Sequence, residues 1–153
     1  MTPRRFGVDE LLAVAVGGVV GALARYGIAL AVPRGDAAGW PWATLLTNLV
    51  GCLLLGLLLA LVESHQPRGV AELSRRARLA RPFLASGVLG GFTTFSTFSV
   101  EAVELVDAGR GPAAAAYVAC SVVLGVALVA GGRALGATTF GRGPRDVSAD
   151  IDL

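Results

Sequence analysis

Ten consecutive residues carry most of the chemistry that this chain could perform: Gly90-Gly91-Phe92-Thr93-Thr94-Phe95-Ser96-Thr97-Phe98-Ser99. They lie inside an apolar stretch that runs from Pro82 to Val100 without a charge. Paired glycines, a run of hydroxyls and three phenyl rings at that depth suggest broken backbone lining a polar cavity. Such backbone is tolerated in hydrocarbon only where protein or water satisfies its freed groups. Discontinuous membrane helices are a recurrent way of building ion sites.

The remaining polar groups within apolar sequence are few. Asn48 brings two amide donors, and Thr44 sits one turn earlier on the same helical face. Tyr117 and Ser121 are one turn apart in the last apolar stretch, and Arg25 interrupts the first. At about 1.5 Å per residue, Arg25, Asn48, Tyr117 and Ser121 all fall roughly 7–13 Å below one membrane boundary. The hydroxyl run lies near the midplane. One chain therefore offers half of a polar lane, and an inverted copy would supply the other half.

That lane suits an anion. Hydroxyls and the Asn48 amide can donate. Phe95 and Phe98, at i and i+3, share a helical face, and ring edges carry the positive end of the quadrupole. Span centres hold no Asp or Glu; Glu101 and Glu104 come only near the far end of the third. Arg25 either adds positive potential at one mouth or snorkels to the interface as an anchor. For Asn48 the competing reading is an interhelical hydrogen bond, for Tyr117 and Ser121 local bonding, and for the two phenylalanines ordinary packing.

The elements that must position these groups follow from hydropathy. The chain has 153 residues, 54% of them hydrophobic, with the apolar residues in long runs. Four spans are expected, at 11–32, 42–62, 82–106 and 112–132, each near the roughly 20 residues that cross a bilayer. The fold class is thus an all-α membrane protein with four transmembrane helices per chain, a broken third helix and an inverted, antiparallel dimer. Residues 1–10 form a short N-terminal segment, 11–135 the membrane domain and 136–153 a polar tail expected to be disordered. The stretch Glu72 to Arg81 is expected to form a short helix lying on the membrane surface. A cleaved leader is not expected, because Asp9 and Glu10 precede the first apolar run.

Net charge is +2, too small to argue for nucleic acid, and every basic residue except His65 is Arg. Ten of these arginines fall on the side shared by the termini and the second loop, against Arg34 and Arg110 on the other. The positive-inside rule then places both termini in the cytoplasm of a multi-pass protein of the cell membrane. Cys52 and Cys120 fall in apolar spans and are expected as free, packed thiols. Gly17-Gly18-x-x-Gly21-Ala22, Gly87-x-x-Gly90-Gly91 and Ala115-Ala116-x-x-Ala119-Cys120 give small-xxx-small spacing, for packing within one chain or against a partner.

Gly17-Gly18-x-x-Gly21-Ala22-x-x-Arg25-Tyr26, Thr47-Asn48-x-x-Gly51 and above all the Gly90 to Ser99 string resemble the Fluc (CrcB) fluoride channel family, over about Leu11 to Gly136. The resemblance implies passive, fluoride-selective export from the cytoplasm by an antiparallel dimer with two pores. It implies that Asn48, Phe95 and Phe98 line each pore. Thr93, Thr94, Ser96, Thr97 and Ser99 match the hydroxyl-rich break, and Tyr117 with Ser121 the fourth-helix side of the track. Glu101 matches an acidic position linked to anion movement. A structural Na⁺ at the dimer centre would be held by the backbone carbonyls of Gly90 and Thr93 from both chains. The strong arginine bias departs from what a dual-topology homodimer needs. It points to an oppositely oriented relative as an alternative to an identical partner.

Two other functions fit parts of the sequence. A small proton-coupled multidrug or cation exporter needs a membrane-embedded carboxylate, and the first span has none. A non-transporting membrane scaffold would account for the small-residue faces but not for the hydroxyl run. Neither reading, nor the favoured one, makes the chain an enzyme.

Overall fold

A computed structural model describes residues 7–32, 39–64 and 75–140, with the side chains of 75–77 left aside. The expectations for residues 1–6, for Arg34, for His65 and the second loop up to residue 74, and for the tail beyond residue 140 lie outside the described residues. The described chain is helical: α1 (Val8–Ala31), α2 (Trp42–Ser64), α3 (Arg75–Arg81), a π-helical segment (Pro82–Leu89), α4 (Gly90–Phe92), α5 (Phe95–Asp107) and α6 (Gly111–Phe140). Four helical stretches are long and apolar enough to cross a membrane: Val8–Ala31, Trp42–Ser64, Arg78–Asp107 and Gly111–Phe140.

Helix ends explain where the expected boundaries move. The first helix starts at Val8 rather than residue 11, because Asp9 and Glu10 occupy its first turn. The Glu10 carboxylate accepts the Gly7 N–H at 3.3 Å, satisfying a donor that the first turn leaves without a helical partner. The last helix runs to Phe140, so residues 136–140 are helix and not tail. Gly136 is buried against Ala60, where a Cβ would sit 2.5 Å from the Ala60 Cβ. Thr138 and Thr139 donate back to the Leu135 carbonyl at 2.8 and 2.9 Å. Between α5 and α6, Gly109 adopts φ +73° and closes a Schellman turn. Its N–H bonds Val106 O, and the Arg110 N–H reaches back to Leu105 O, both at 2.9 Å.

The arginine-rich stretch does not form a separate surface helix. Arg81 keeps helical angles, φ −62° and ψ −57°, so α3 continues directly into the third span. Pro82 lacks an N–H, and the wider i→i+5 turns begin at that residue. Arg78 reaches Asp9 at 3.5 Å, holding the start of the third span to the start of α1.

Packing divides the chain into two close helix pairs, α1 with the first half of the third span and α2 with α6. Glycines set both approaches. A Cβ on Gly21 would lie 2.1 Å from Val88 O, and one on Gly91 would lie 2.4 Å from Gly18 O. On the other pair, a Cβ on Gly56 would lie 2.2 Å from Val129 O, and one on Gly132 would lie 2.4 Å from Leu53 O. These obstacles are backbone and cannot swing away. The small-residue faces of α1 and the third span are therefore consumed within the chain. Ala115 and Ala119 instead stay exposed beside a shallow apolar groove between α5 and α6. Both cysteines are free. A Gly21→Ala substitution is expected to force α1 off the third span and to cost about 1–3 kcal/mol. Gly18→Ala, at a neighbouring helical glycine with open space around its Cβ, is expected to cost far less. Thermal unfolding of the two variants in detergent checks the contrast.

Candidate functional site

The third span breaks between α4 and α5. Thr93 and Thr94 leave the helix with extended angles, φ −79°, ψ 159° and φ −146°, ψ 123°. Two residues of α2 hold this break. The Asn48 Nδ2 donates to Thr94 O, and the Thr94 N–H donates to Asn48 Oδ1, both at 2.9 Å. A single carboxamide thus pairs with the backbone as a neighbouring strand would. One turn along, Gly51 receives the Thr93 methyl, which would lie 2.3 Å from any Cβ there. The Asn48-x-x-Gly51 spacing is therefore a seat for the broken backbone.

Hydroxyl groups complete the break. Thr94 caps α5, its Oγ1 accepting the Thr97 N–H at 3.2 Å. Its own proton goes to Thr97 Oγ1 at 3.0 Å, and Ser96 Oγ lies at 3.3 Å. Thr97, accepting from Thr94, keeps its hydroxyl proton to donate elsewhere. Three other hydroxyls bond within their own helical turns: Thr93 to Leu89 O, Ser99 to Phe95 O and Ser121 to Tyr117 O. In those rotamers they offer lone pairs, not protons.

These bonds also divert two helical donors. In an unbroken helix the Thr94 N–H would bond Gly90 O, and the Thr97 N–H would bond Thr93 O. Here Asn48 takes the first and the Thr94 hydroxyl takes the second. Gly90 and Thr93 thus present carbonyls deprived of their i+4 donors, the kind of oxygen group a hard cation takes. Among the described residues no three of His, Cys, Asp and Glu are grouped to hold a metal.

The rings are arranged in a chain. Phe95 and Phe98 are neighbours at 5.8 Å between centroids, and Phe98 lies 5.2 Å from Tyr117. Phe98 is half-buried, whereas Phe95 is 79% exposed and projects off the chain. Tyr117 is fully enclosed. Its hydroxyl donates to Glu101 Oε2 and the Thr44 hydroxyl donates to Glu101 Oε1, each at 2.8 Å. Glu101 therefore joins α2, α5 and α6, and neither of its oxygens is bare. This three-helix clamp was not legible in the sequence, where only the helical spacing of Thr44 and Asn48 was visible.

A cavity of about 720 Å³ opens between α1, α2 and α5. Arg25, Thr44, Thr47, Thr94, Thr97 and Glu101 line it, so the polar groups of three spans do converge. Glu104 and Asp107 line it as well, so the cavity carries acidic groups beside Arg25. Trp40 closes one wall and meets Tyr117 edge-on at 5.9 Å. Its buried indole N–H has no hydrogen-bond partner among the described residues. Removing one arm of the Glu101 clamp by Tyr117→Phe is expected to destabilise the protein by about 1.5–3 kcal/mol, the range for a bond to a charged group. Chemical or thermal unfolding of the variant measures the loss.

The chain is similar to several known proteins. The chain is 43% identical over 135 residues to the fluoride-specific ion channel FluC of Thermus thermophilus, covering 88% of this chain and 99% of that one. It is 41% identical over 129 residues to the fluoride-specific ion channel FluC of Chloroflexus aurantiacus, covering 84% and 96%. Against the fluoride-specific ion channel FluC 2 of Streptomyces avermitilis it is 42% identical over 109 residues, and it spans 63% of that longer relative. The profile described as CrcB-like protein, Camphor Resistance (CrcB), matches residues 12–133, and the chain belongs to that family.

Proposed function

We propose that the chain is a passive channel that exports cytoplasmic fluoride, and that it works as an inverted dimer. The break at Thr93 and Thr94 carries this reading. Its support is that the Thr94 and Thr97 hydroxyls, the Asn48 amide with one N–H to spare, and the paired Phe95 and Phe98 rings all lie at the break, groups suited to a small anion that has shed its water. The names of the relatives support the choice of fluoride. Hydrogen fluoride crosses lipid as a neutral acid and ionises in a neutral cytoplasm. The trapped anion can then leave down its gradient through a passive pore, without a carboxylate that exchanges protons.

The pore residues are Asn48, Phe95 and Phe98. Thr94, Ser96, Thr97 and Ser99 stand beside them, with Glu101, Tyr117 and Ser121 along the track and Arg25 at the vestibule. Phe95 supports a dimer, because a large ring left 79% exposed at the break is completed by a partner carrying its own break. The diverted carbonyls of Gly90 and Thr93 support a structural Na⁺ between the two chains. A cation there would offset repulsion between anions in neighbouring pores. The arginine bias favours a single orientation with both termini in the cytoplasm, and hence an oppositely oriented relative as the mate.

Fluoride efflux from liposomes, read with an electrode, is expected for the assembled protein. Phe95→Ile and Phe98→Ile keep bulk and remove the ring quadrupole. Each is expected to lower flux about tenfold or more, the rate equivalent of one aromatic contact. Flux unchanged by both swaps would remove the pore assignment. For orientation, cysteines engineered into the second loop and expressed in this chain alone are expected to label from the cytoplasmic side only. Comparable labelling from both sides would return the pairing to an identical chain.

A further inference from the structure

We infer that Asn48, besides facing the anion, is the positioning residue for the cation site. This rests on the reading of Gly90 and Thr93 carbonyls as Na⁺ ligands. The argument concerns one peptide plane. Thr93 O and the Thr94 N–H belong to the same unit, and there are no cis peptide bonds among the described residues. In a trans peptide the carbonyl points opposite to the N–H. The Thr94 N–H is fixed on Asn48 Oδ1 at 2.9 Å, so Thr93 O is aimed away from α2. The same bond removes the donor that Gly90 O would have in a continuous helix. One side-chain oxygen therefore frees the first carbonyl and turns the second. Hydrogen bonding of the N–H also polarises the peptide and raises the electron density on Thr93 O. The carboxamide is divided between two tasks: Oδ1 serves the cation, and the Nδ2 end, which donates one proton to Thr94 O, keeps a second for the anion of the proposed pore.

The division predicts a split that packing alone would not give. Asn48→Leu keeps volume and removes the acceptor. Asn48→Asp keeps the acceptor, loses the donor and places a negative charge in the lane. The measurement is the unfolding temperature of the full-length assembled protein in detergent, as NaCl replaces N-methylglucamine chloride at constant ionic strength. The wild-type temperature is expected to rise with Na⁺ and to saturate. In Asn48→Leu the Na⁺ concentration at half effect is expected to rise about tenfold or more, the worth of one buried hydrogen bond. In Asn48→Asp it is expected to stay within about threefold of wild type or to fall, while fluoride flux is lost. Phe98→Ile is expected to lose flux and keep the wild-type Na⁺ response.

An unchanged Na⁺ response in Asn48→Leu would overturn the inference and leave the Na⁺ site standing. Absence of any Na⁺ response in the wild type would overturn both. If Asn48→Leu does not fold, Asn48→Asp decides. A near-wild-type Na⁺ response supports the inference, and a tenfold weaker one, or failure to assemble, overturns it.

Discussion

The paired hydrogen bonds between the Asn48 carboxamide and the Thr94 backbone are the contact on which the rest of the molecule depends. A helix crossing hydrocarbon normally satisfies its own peptide groups, and each group left bare costs several kcal/mol. Breaking the third span at mid-membrane releases such groups in a place without bulk water. The chain meets two of them with one side chain from α2 and a third with the Thr94 hydroxyl. Only a group that both donates and accepts at carboxamide spacing can do the first. The break is thus conditional on α2 lying alongside it in a definite register.

That register is set by close helix approach. Gly51 leaves room for the Thr93 methyl, Gly56 and Gly132 bring α6 against α2 with backbone facing backbone, and Gly136 receives the Ala60 Cβ. Helix association in lipid has little hydrophobic drive, so dispersion at short range must supply it. The first half of the third span is drawn to α1 in the same way, through Gly17, Gly21, Gly87 and Gly91. The second half, α5, lies instead between α2 and α6, where Glu101 ties it to Thr44 and Tyr117. The two halves of one span therefore belong to different helix pairs, and the break is where they part.

A consequence is that most polar groups with chemical capacity already serve the fold. Asn48, Thr94, Glu101 and Tyr117 each hold a structural bond, and of these Thr94 and Glu101 also line the cavity. In the proposed lane, what remains for an ion is a smaller set: the Thr97 proton, one Asn48 N–H and the ring edges. Desolvating a small anion against few, rigid donors favours an ion whose size they match. A flexible, water-filled lane would not discriminate in this way.

Hydropathy by itself determined four apolar crossings and placed the hydroxyl run at the middle of the third, because span length and local composition are properties of contiguous residues. The Thr93-Thr94 pair likewise marked the break, whereas Gly90 and Gly91, expected to belong to it, are helical, and Gly91 serves the close approach to Gly18. Helix ends were less legible. Gly136 reads as a terminator, yet its contact with Ala60 on another helix carries α6 on to Phe140. The partners of the polar groups were decided by tertiary structure alone. That Asn48 meets Thr94 and not solvent, that Glu101 is clamped by Thr44 and Tyr117, and that Glu104 and Asp107 line one cavity with Arg25 depend on helix azimuth and offset. These are fixed by glycine contacts between residues tens of positions apart, and no local pattern encodes which face meets which.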